Sequence, residues 1–271
     1  MGYQPEREAL LAIAVRAARG AAEVIRAAAP RARTIDWRSK HPKDFVSEVD
    51  VAAEERILAV VGRELPGATV LAEESAATTP PGQVARGLAV VIDPLDGTTN
   101  FLHGYPEYAV SIGLLLNGEP VAAVVYDVPG DELFTATAGG GAHCNGAPIG
   151  VSGITDPARA LVGTGFPFKD PADIAPYHAQ MARVMAATAG VRRPGAASID
   201  LASVAAGRFD AFWENTLSPW DFAAGMLLVR EAGGIVTDLA GAHLTALAPS
   251  GVLAGNPAMH AWLREAVGPA R

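Results

Sequence analysis

Cysteine is nearly absent. Cys144 stands alone among 271 residues, which excludes an intrachain disulfide and any site built from clustered thiolates, and suits a reducing, cytoplasmic setting. No stretch approaches the ~18 consecutive apolar residues that a membrane span needs, so no membrane partner is expected. The first thirty residues carry Glu6, Glu8, Arg16, Arg19, Glu23 and Arg26, which break up the apolar core a signal peptide requires. Basic charge is also short: 21 Lys and Arg face 29 Asp and Glu, for a net charge of −8. With no Lys/Arg cluster, direct nucleic-acid binding is not expected. His41, His103, His143, His178, His243 and His260 are scattered and never spaced as metal ligands. Repeats and low-complexity tracts are missing too.

What is present reads as an ordinary globular chain, 50% apolar and 18% charged, long enough for a sizeable core. Residues 6–28 place Leu10, Ala14, Ala17, Ala21, Val24 and Ile25 near one face, which predicts an amphipathic helix ended by Pro30. A second helix is predicted over 50–65, with Asp50 as its N-cap and Glu54 and Glu55 near its positive end. Thr69 to Ala72 reads as a strand running into Glu73-Glu74. From 88 to 152 the pattern is β. Apolar runs at 109–116 and 119–127 flank Asn117-Gly118, a strong hairpin signal, and Pro129-Gly130-Asp131 and Asn145-Gly146 mark further turns. Gly139-Gly140-Gly141 lacks the Lys-Ser/Thr of a nucleotide loop and reads as a hairpin feature.

After about residue 153 helices (173–189, 197–206, 219–232, 256–267) alternate with short strands (160–164, 209–213, 234–237, 251–254). The switch divides the chain into an N-terminal 1–153 and a C-terminal 154–271 subdomain. Trp213 and Trp262 read as core. Lys169, Arg192 and Arg193 read as solvated.

Four segments carry acids in unusual contexts. In Val91-Ile92-Asp93-Pro94-Leu95-Asp96-Gly97-Thr98-Thr99-Asn100-Phe101 an apolar strand delivers two carboxylates onto one turn. Crowded carboxylates repel unless a cation lies between them, and Mg²⁺ takes oxygen ligands, typically one or two carboxylates plus substrate phosphate. The N–H groups of Gly97, Thr98 and Thr99 follow where a helix could begin, a setting that attracts phosphate. The other segments are Asp44-Phe45-Val46-Ser47-Glu48-Val49-Asp50, Glu73-Glu74-Ser75 and Trp220-Asp221-Phe222-Ala223-Ala224-Gly225. Each has a plainer reading as well. Asp50 and Asp221 can be helix N-caps, Glu73-Glu74 a solvated turn, and Asp93 with Asp96 a tight turn.

In their order and spacing these four segments resemble the inositol monophosphatase family, over most of the chain from about Lys40 to Gly255. The likeness is to its bacterial branch, through Arg192-Arg193, Gly195-Ala196-Ala197-Ser198-Ile199-Asp200-Leu201-Ala202, Ala205-Ala206-Gly207-Arg208 and Phe212-Trp213-Glu214. The resemblance implies an α/β fold, a layered α-β-α-β-α sandwich of the inositol monophosphatase / fructose-1,6-bisphosphatase type. It implies a Mg²⁺-dependent phosphomonoesterase with two or three ions per site, hydrolysing inositol 1-phosphate and sensitive to lithium. Glu73, Asp93 and the Leu95 carbonyl would hold the first ion, Asp93, Asp96 and Asp221 the second, and a weaker third would lie near Glu73. Thr98 and Asp50, with Glu73 nearby, would orient and deprotonate the attacking water, and Lys40 would lie near the metals. Asp96, Gly97, Thr98, Gly195, Ala196, Ala197, Glu214 and Asp221 would contact substrate.

Relatives also include histidinol-phosphate phosphatases, fructose-1,6-bisphosphatases and phosphatases of 3′-phosphoadenosine 5′-phosphate. Others serve as binding proteins associated with transcription and rRNA processing. A homodimer is implied. Departures are modest: Val90 replaces a common Trp, Ala72 a common Gly, Ser47 a Thr, and Ala196 a frequent Ser or Thr.

The chemistry agrees with these roles. Phosphomonoester hydrolysis needs rate enhancements approaching ~10²¹-fold, and two cations ~3.5–4 Å apart can hold attacking and leaving oxygens. No Cys or His is placed to form a phosphoenzyme, so direct attack by water is the simpler route. Haloacid-dehalogenase phosphatases use Asp-x-Asp-Gly-Thr; Asp93-Pro94-Leu95-Asp96-Gly97-Thr98 is one residue longer, off the geometry of a phosphoaspartate.

Overall fold

A computed structural model describes residues 6–41, 44–75, 85–168 and 171–268. Five layers stack in the order helix, sheet, helix, sheet, helix. The first holds α1 (Arg7–Ala28) against α2 (Glu48–Glu64). The second is a seven-stranded sheet in sequential order: β3 (Thr69–Ala72), β4 (Leu88–Asp96), β5 (Ala109–Leu116), β6 (Glu119–Asp127), β7 (Glu132–Thr137), β8 (Gly141–Cys144) and β9 (Ala147–Ile149). β3 and β4 are parallel and the rest form an antiparallel meander.

The third layer is α5 (Ala197–Ala205) with α6 (Pro219–Glu231). The fourth is a five-stranded sheet ordered β11 (Gly190–Arg192), β10 (Leu161–Thr164), β12 (Ala211–Leu217), β14 (Ser250–Gly255), β13 (Ile235–Thr237). The fifth is α4 (Ile174–Ala187) with α7 (Pro257–Val267). This is the layered sandwich that the resemblance implies.

The strand period of two sorts each strand's side chains between two cores. On β4, Val90 and Ile92 join Ile25 and Ile57 on the α1/α2 side, whereas Ala89 and Val91 join Leu201, Phe222 and Leu228 on the other. On the second sheet, Phe212, Val252 and Ala254 face the middle layer, while Trp213 and Leu253 pack with Val184, Met259 and Leu263 outside it. Sheets covered on both faces yield strands that are apolar almost throughout. That is why 88–92 and 109–116 stand out in the sequence. Trp213 is fully buried, and Trp262 packs on the outer core.

The hairpin turn at Asn117-Gly118 has φ of 52° and 84°, the left-handed pair of a two-residue β-turn. Gly139 lies in the turn between β7 and β8 and Gly141 opens β8, both at positive φ. Pro30 sits in a 3₁₀ turn, Ala29–Thr34, that ends α1.

Three features differ from expectation. Asp50 and Asp221 are not N-caps: Ser47 and Ser218 are, and the two acids occupy the third helical positions of capping boxes. A hairpin of β1 (Trp37–His41) and β2 (Asp44–Ser47) precedes α2. Its residues are too polar to show an apolar period, and it is pinned by the edge-on contact of Trp37 with Phe45, 4.4 Å between ring centres. β12 begins at Ala211 and extends to Leu217, past the expected end at 213. Lys169 lies outside the described residues. No helix among the described residues is long and apolar enough to cross a membrane.

Candidate active site

The site begins with an irregularity in β4. Asp93 pairs with Ser111 and Asp96 with Ala109, so three steps on β4 oppose two on β5. That extra residue is a bulge, which re-aims side chains at a strand end. Asp93 Oδ1 accepts from Leu95 N at 3.1 Å, closing the loop on itself. Gly97 then turns the chain at φ 89°, where a Cβ would stand 2.7 Å from the Glu107 carbonyl, so only glycine fits. α3 (Thr98–His103) follows directly.

The elements around this turn enclose a cleft of about 650 Å³. Its wall includes Glu73, Asp93, Leu95, Asp96, Gly97, Thr98, Gly195, Ala196, Ala197, Glu214 and Asp221, all singled out from the sequence. Asp50 stands one step behind, fully buried: the Thr98 hydroxyl donates to its Oδ1 at 2.7 Å and lies 3.0 Å from the Leu95 carbonyl. Lys40 belongs to β1, and its side chain is outside what is described.

Helix starts hold three of these acids. Asp50 Oδ2 accepts from Ser47 N and Oγ at 2.8 and 2.6 Å, at the start of α2. Asp221 Oδ2 accepts from Ser218 N at 2.7 Å, at the start of α6. Asp96 Oδ2 accepts from Ser198 N and Oγ at 2.8 and 2.6 Å, at the start of α5, although 102 residues separate the two. The positive end of each helix offsets a carboxylate charge that burial would otherwise penalise. Glu73 is positioned through its N–H, which bonds the Ile92 carbonyl at 3.1 Å, and Glu74 N donates to Glu54 Oε2 at 2.9 Å. The pair does form a half-exposed turn, but one fastened to the fold by both bonds.

The acids feel one another. Burial, with the charges of Glu73, Asp96 and Asp221 behind it, pushes the Asp93 carboxyl well above the usual carboxylate range. Asp96 is pushed up to about 6, chiefly by burial and against the pull of its Ser198 hydrogen bonds. Glu107 is raised to about 7 by burial and by Asp127 and Asp96. Among the described residues no three His, Cys, Asp or Glu side chains form a preassembled metal cage. The donor set nonetheless fits a hard dication. It is all oxygen, and burial and then the neighbouring acids raise the proton affinity of Asp93, a penalty that a bound positive charge would relieve.

At the far end, the Glu214 carboxylate nests over Gly165, where a Cβ would come within 2.0 Å of it. Several residues here were not foreseen. The Arg193 guanidinium, read from sequence as solvated, lies over the rings of Phe166 and Phe168 at 5.2 and 5.1 Å and lines the cleft; Arg192 is exposed as expected. Asp200 also lines the cleft, buried, with no hydrogen-bond partner for Oδ1 among the described residues. The capping boxes had a signal, Ser-x-x-Asp at 47–50 and 218–221; the Ser198–Asp96 contact had none.

The inositol monophosphatase family profile matches residues 6–270. The chain is 48% identical over 249 residues to the Nus factor SuhB of Pseudomonas aeruginosa, covering 91% of each. It is 41% identical over 261 residues to the inositol-1-monophosphatase of Mesorhizobium japonicum, covering 96% of this chain and 97% of that one. Among solved structures, the extragenic suppressor protein suhB of Bartonella henselae superposes with a TM-score of 0.89 at 38% identity, covering 97% of this chain and all of the other.

Proposed function

The chain belongs to the inositol monophosphatase family, and from that premise we propose that its cleft hydrolyses a small polyol phosphate, inositol 1-phosphate, with Mg²⁺. Glu73, Asp93 and the Leu95 carbonyl would hold one ion and Asp93, Asp96 and Asp221 a second, with a weaker third near Glu73. Once bound, the ions would supply the charge neutralisation that a phosphate dianion and its attacking water need.

The observation that carries this reading is the 2.7 Å bond from Thr98 Oγ1 to Asp50 at the rim of the acidic cleft. Its proton committed to Asp50, the Thr98 oxygen has lone pairs to accept from a water, and so orients that water and passes its proton toward a carboxylate. Both partners are immobilised, Asp50 by the α2 capping box and Thr98 by α3, which suits a relay that must keep its geometry through the reaction. Glu214, held over Gly165, and the Gly195–Ala197 segment would read the hydroxyls of the leaving group. Lys40 is assigned nearby by resemblance alone.

Phosphate release should be screened with Mg²⁺ over inositol 1-phosphate, histidinol phosphate, fructose 1,6-bisphosphate and 3′-phosphoadenosine 5′-phosphate. Inositol 1-phosphate is expected to lead, with activity abolished by EDTA and inhibited by Li⁺. Asp96→Asn should lower kcat/KM by orders of magnitude with the fold intact. Turnover that persists in excess EDTA, or a near-normal Asp96→Asn enzyme, rejects the metal role. The name Nus factor SuhB carried by the Pseudomonas relative favours a second reading, a binding role beside the transcription machinery through protein contacts. A homodimer and a cytoplasmic location are part of the same proposal.

A further inference from the structure

We propose that Ser198 is a positioning residue for Asp96, holding one oxygen of that carboxylate on helix α5 so that the other is presented to the second ion; this rests on the metal-dependent reading above. α5 starts without a cap of its own. The residue at its N-cap, Ala196, has no side chain able to bond the first free N–H groups. Asp96 fills that place from β4, in the adjacent sheet layer, and Ser198 makes the contact two-pronged: backbone N–H at 2.8 Å and hydroxyl at 2.6 Å, both onto Oδ2. Two donors on one oxygen fix the plane of the carboxylate as well as its place, and charge-assisted bonds of this kind are the stronger sort.

The hydroxyl is the part that chemistry can remove. Ser198 is fully buried, so its rotamer is set by packing. Ser198 also follows immediately on Gly195–Ala197, which lines the same cleft. The one contact therefore ties the metal-side strand β4 to the substrate-side helix α5. A hydroxyl that served only to fasten the cap of α5 would change stability and nothing else. A residue that orients Asp96 changes how tightly the ion is held and, through the shared segment, how well substrate is read.

The test compares Ser198→Ala, Ser198→Cys and Ser198→Thr in the full chain. Mg²⁺ alone is titrated calorimetrically into metal-free protein, and the kinetic constants and Tm are measured beside it. Cys keeps nearly the same shape with a poor donor, and Thr keeps the hydroxyl. Ala and Cys are expected to weaken Mg²⁺ binding about tenfold and to raise KM by more than they lower kcat, whereas Thr stays within about twofold of the parent. Should Ala fail to fold, Cys carries the comparison. Unchanged Mg²⁺ affinity in Ala and Cys, with only Tm displaced, overturns the proposal and leaves the Ser198–Asp96 contact as a helix cap alone. A parent protein that binds no Mg²⁺ overturns the metal-dependent reading itself, and the positioning role with it.

Discussion

At the scale of single residues, the site is governed by carboxylates that are buried together. Asp96 titrates near 3.8 in an unfolded chain and about 6 in the fold, so the native state holds its proton more tightly. Stability from this group is therefore present below about pH 4 and declines as pH rises through 6. Asp93 acts in the same direction, while His260, lowered to about 4 by burial and Arg264, acts oppositely. Comparing Asp96→Asn with the parent isolates the effect. In EDTA, the urea midpoint of the variant should gain on the parent between pH 4 and 6 and then level off. Mg²⁺ above pH 7 should raise the parent far more than the variant, and parallel midpoints across that range would contradict this account. At the other end of the cleft, Gly165→Ala places a methyl within 2.0 Å of the Glu214 carboxylate and must displace it. KM for a polyol phosphate should rise severalfold with a smaller change in kcat; an unaltered KM would remove Glu214 from substrate recognition.

At the scale of elements, helix starts do much of the positioning. Ser47→Ala removes the hydroxyl that both accepts from Val49 N and donates to Asp50. Loss of the cap should lower stability by about 1 kcal/mol, read by urea unfolding, and kcat should fall as well because Asp50 loses a fixed partner. A loss of stability without loss of rate would separate the cap from the relay. These boxes were legible in the sequence as Ser-x-x-Asp, yet the spacing alone favoured the acids as caps. Both residue types cap well, and which one does so depends on where helical φ/ψ begins. The β1/β2 hairpin was not legible, since Trp37 and Phe45 stabilise it by touching each other and not by periodicity.

At the scale of the whole molecule, α6 joins the two sheets. It lies against β4 to β8 on one side and β13 and β14 on the other, and it carries Asp221 at its start. The division of the chain into 1–153 and 154–271 is retained as a proposal; the middle layer would make the two parts depend on each other. Phe222, fully buried beside Asp221, tests this. Phe222→Ala should cost about 3–5 kcal/mol and abolish activity at temperatures where the parent is active. A single cooperative transition with a lowered midpoint is expected, and loss of only one of two transitions would argue for independent halves.

The sequence by itself determined the helices, the meander, the turn residues and the four acidic segments, because periodicity and turn chemistry are properties of a few neighbouring residues. It also determined that the acids sit at the ends of elements. Only the tertiary structure decided which atoms meet: Asp96 with Ser198 across two layers, Arg193 over two phenylalanines, Glu214 over Gly165. Those pairings depend on strand order, on a one-residue bulge and on how layers stack. Such quantities are set by long-range packing, and no local pattern of residues encodes them.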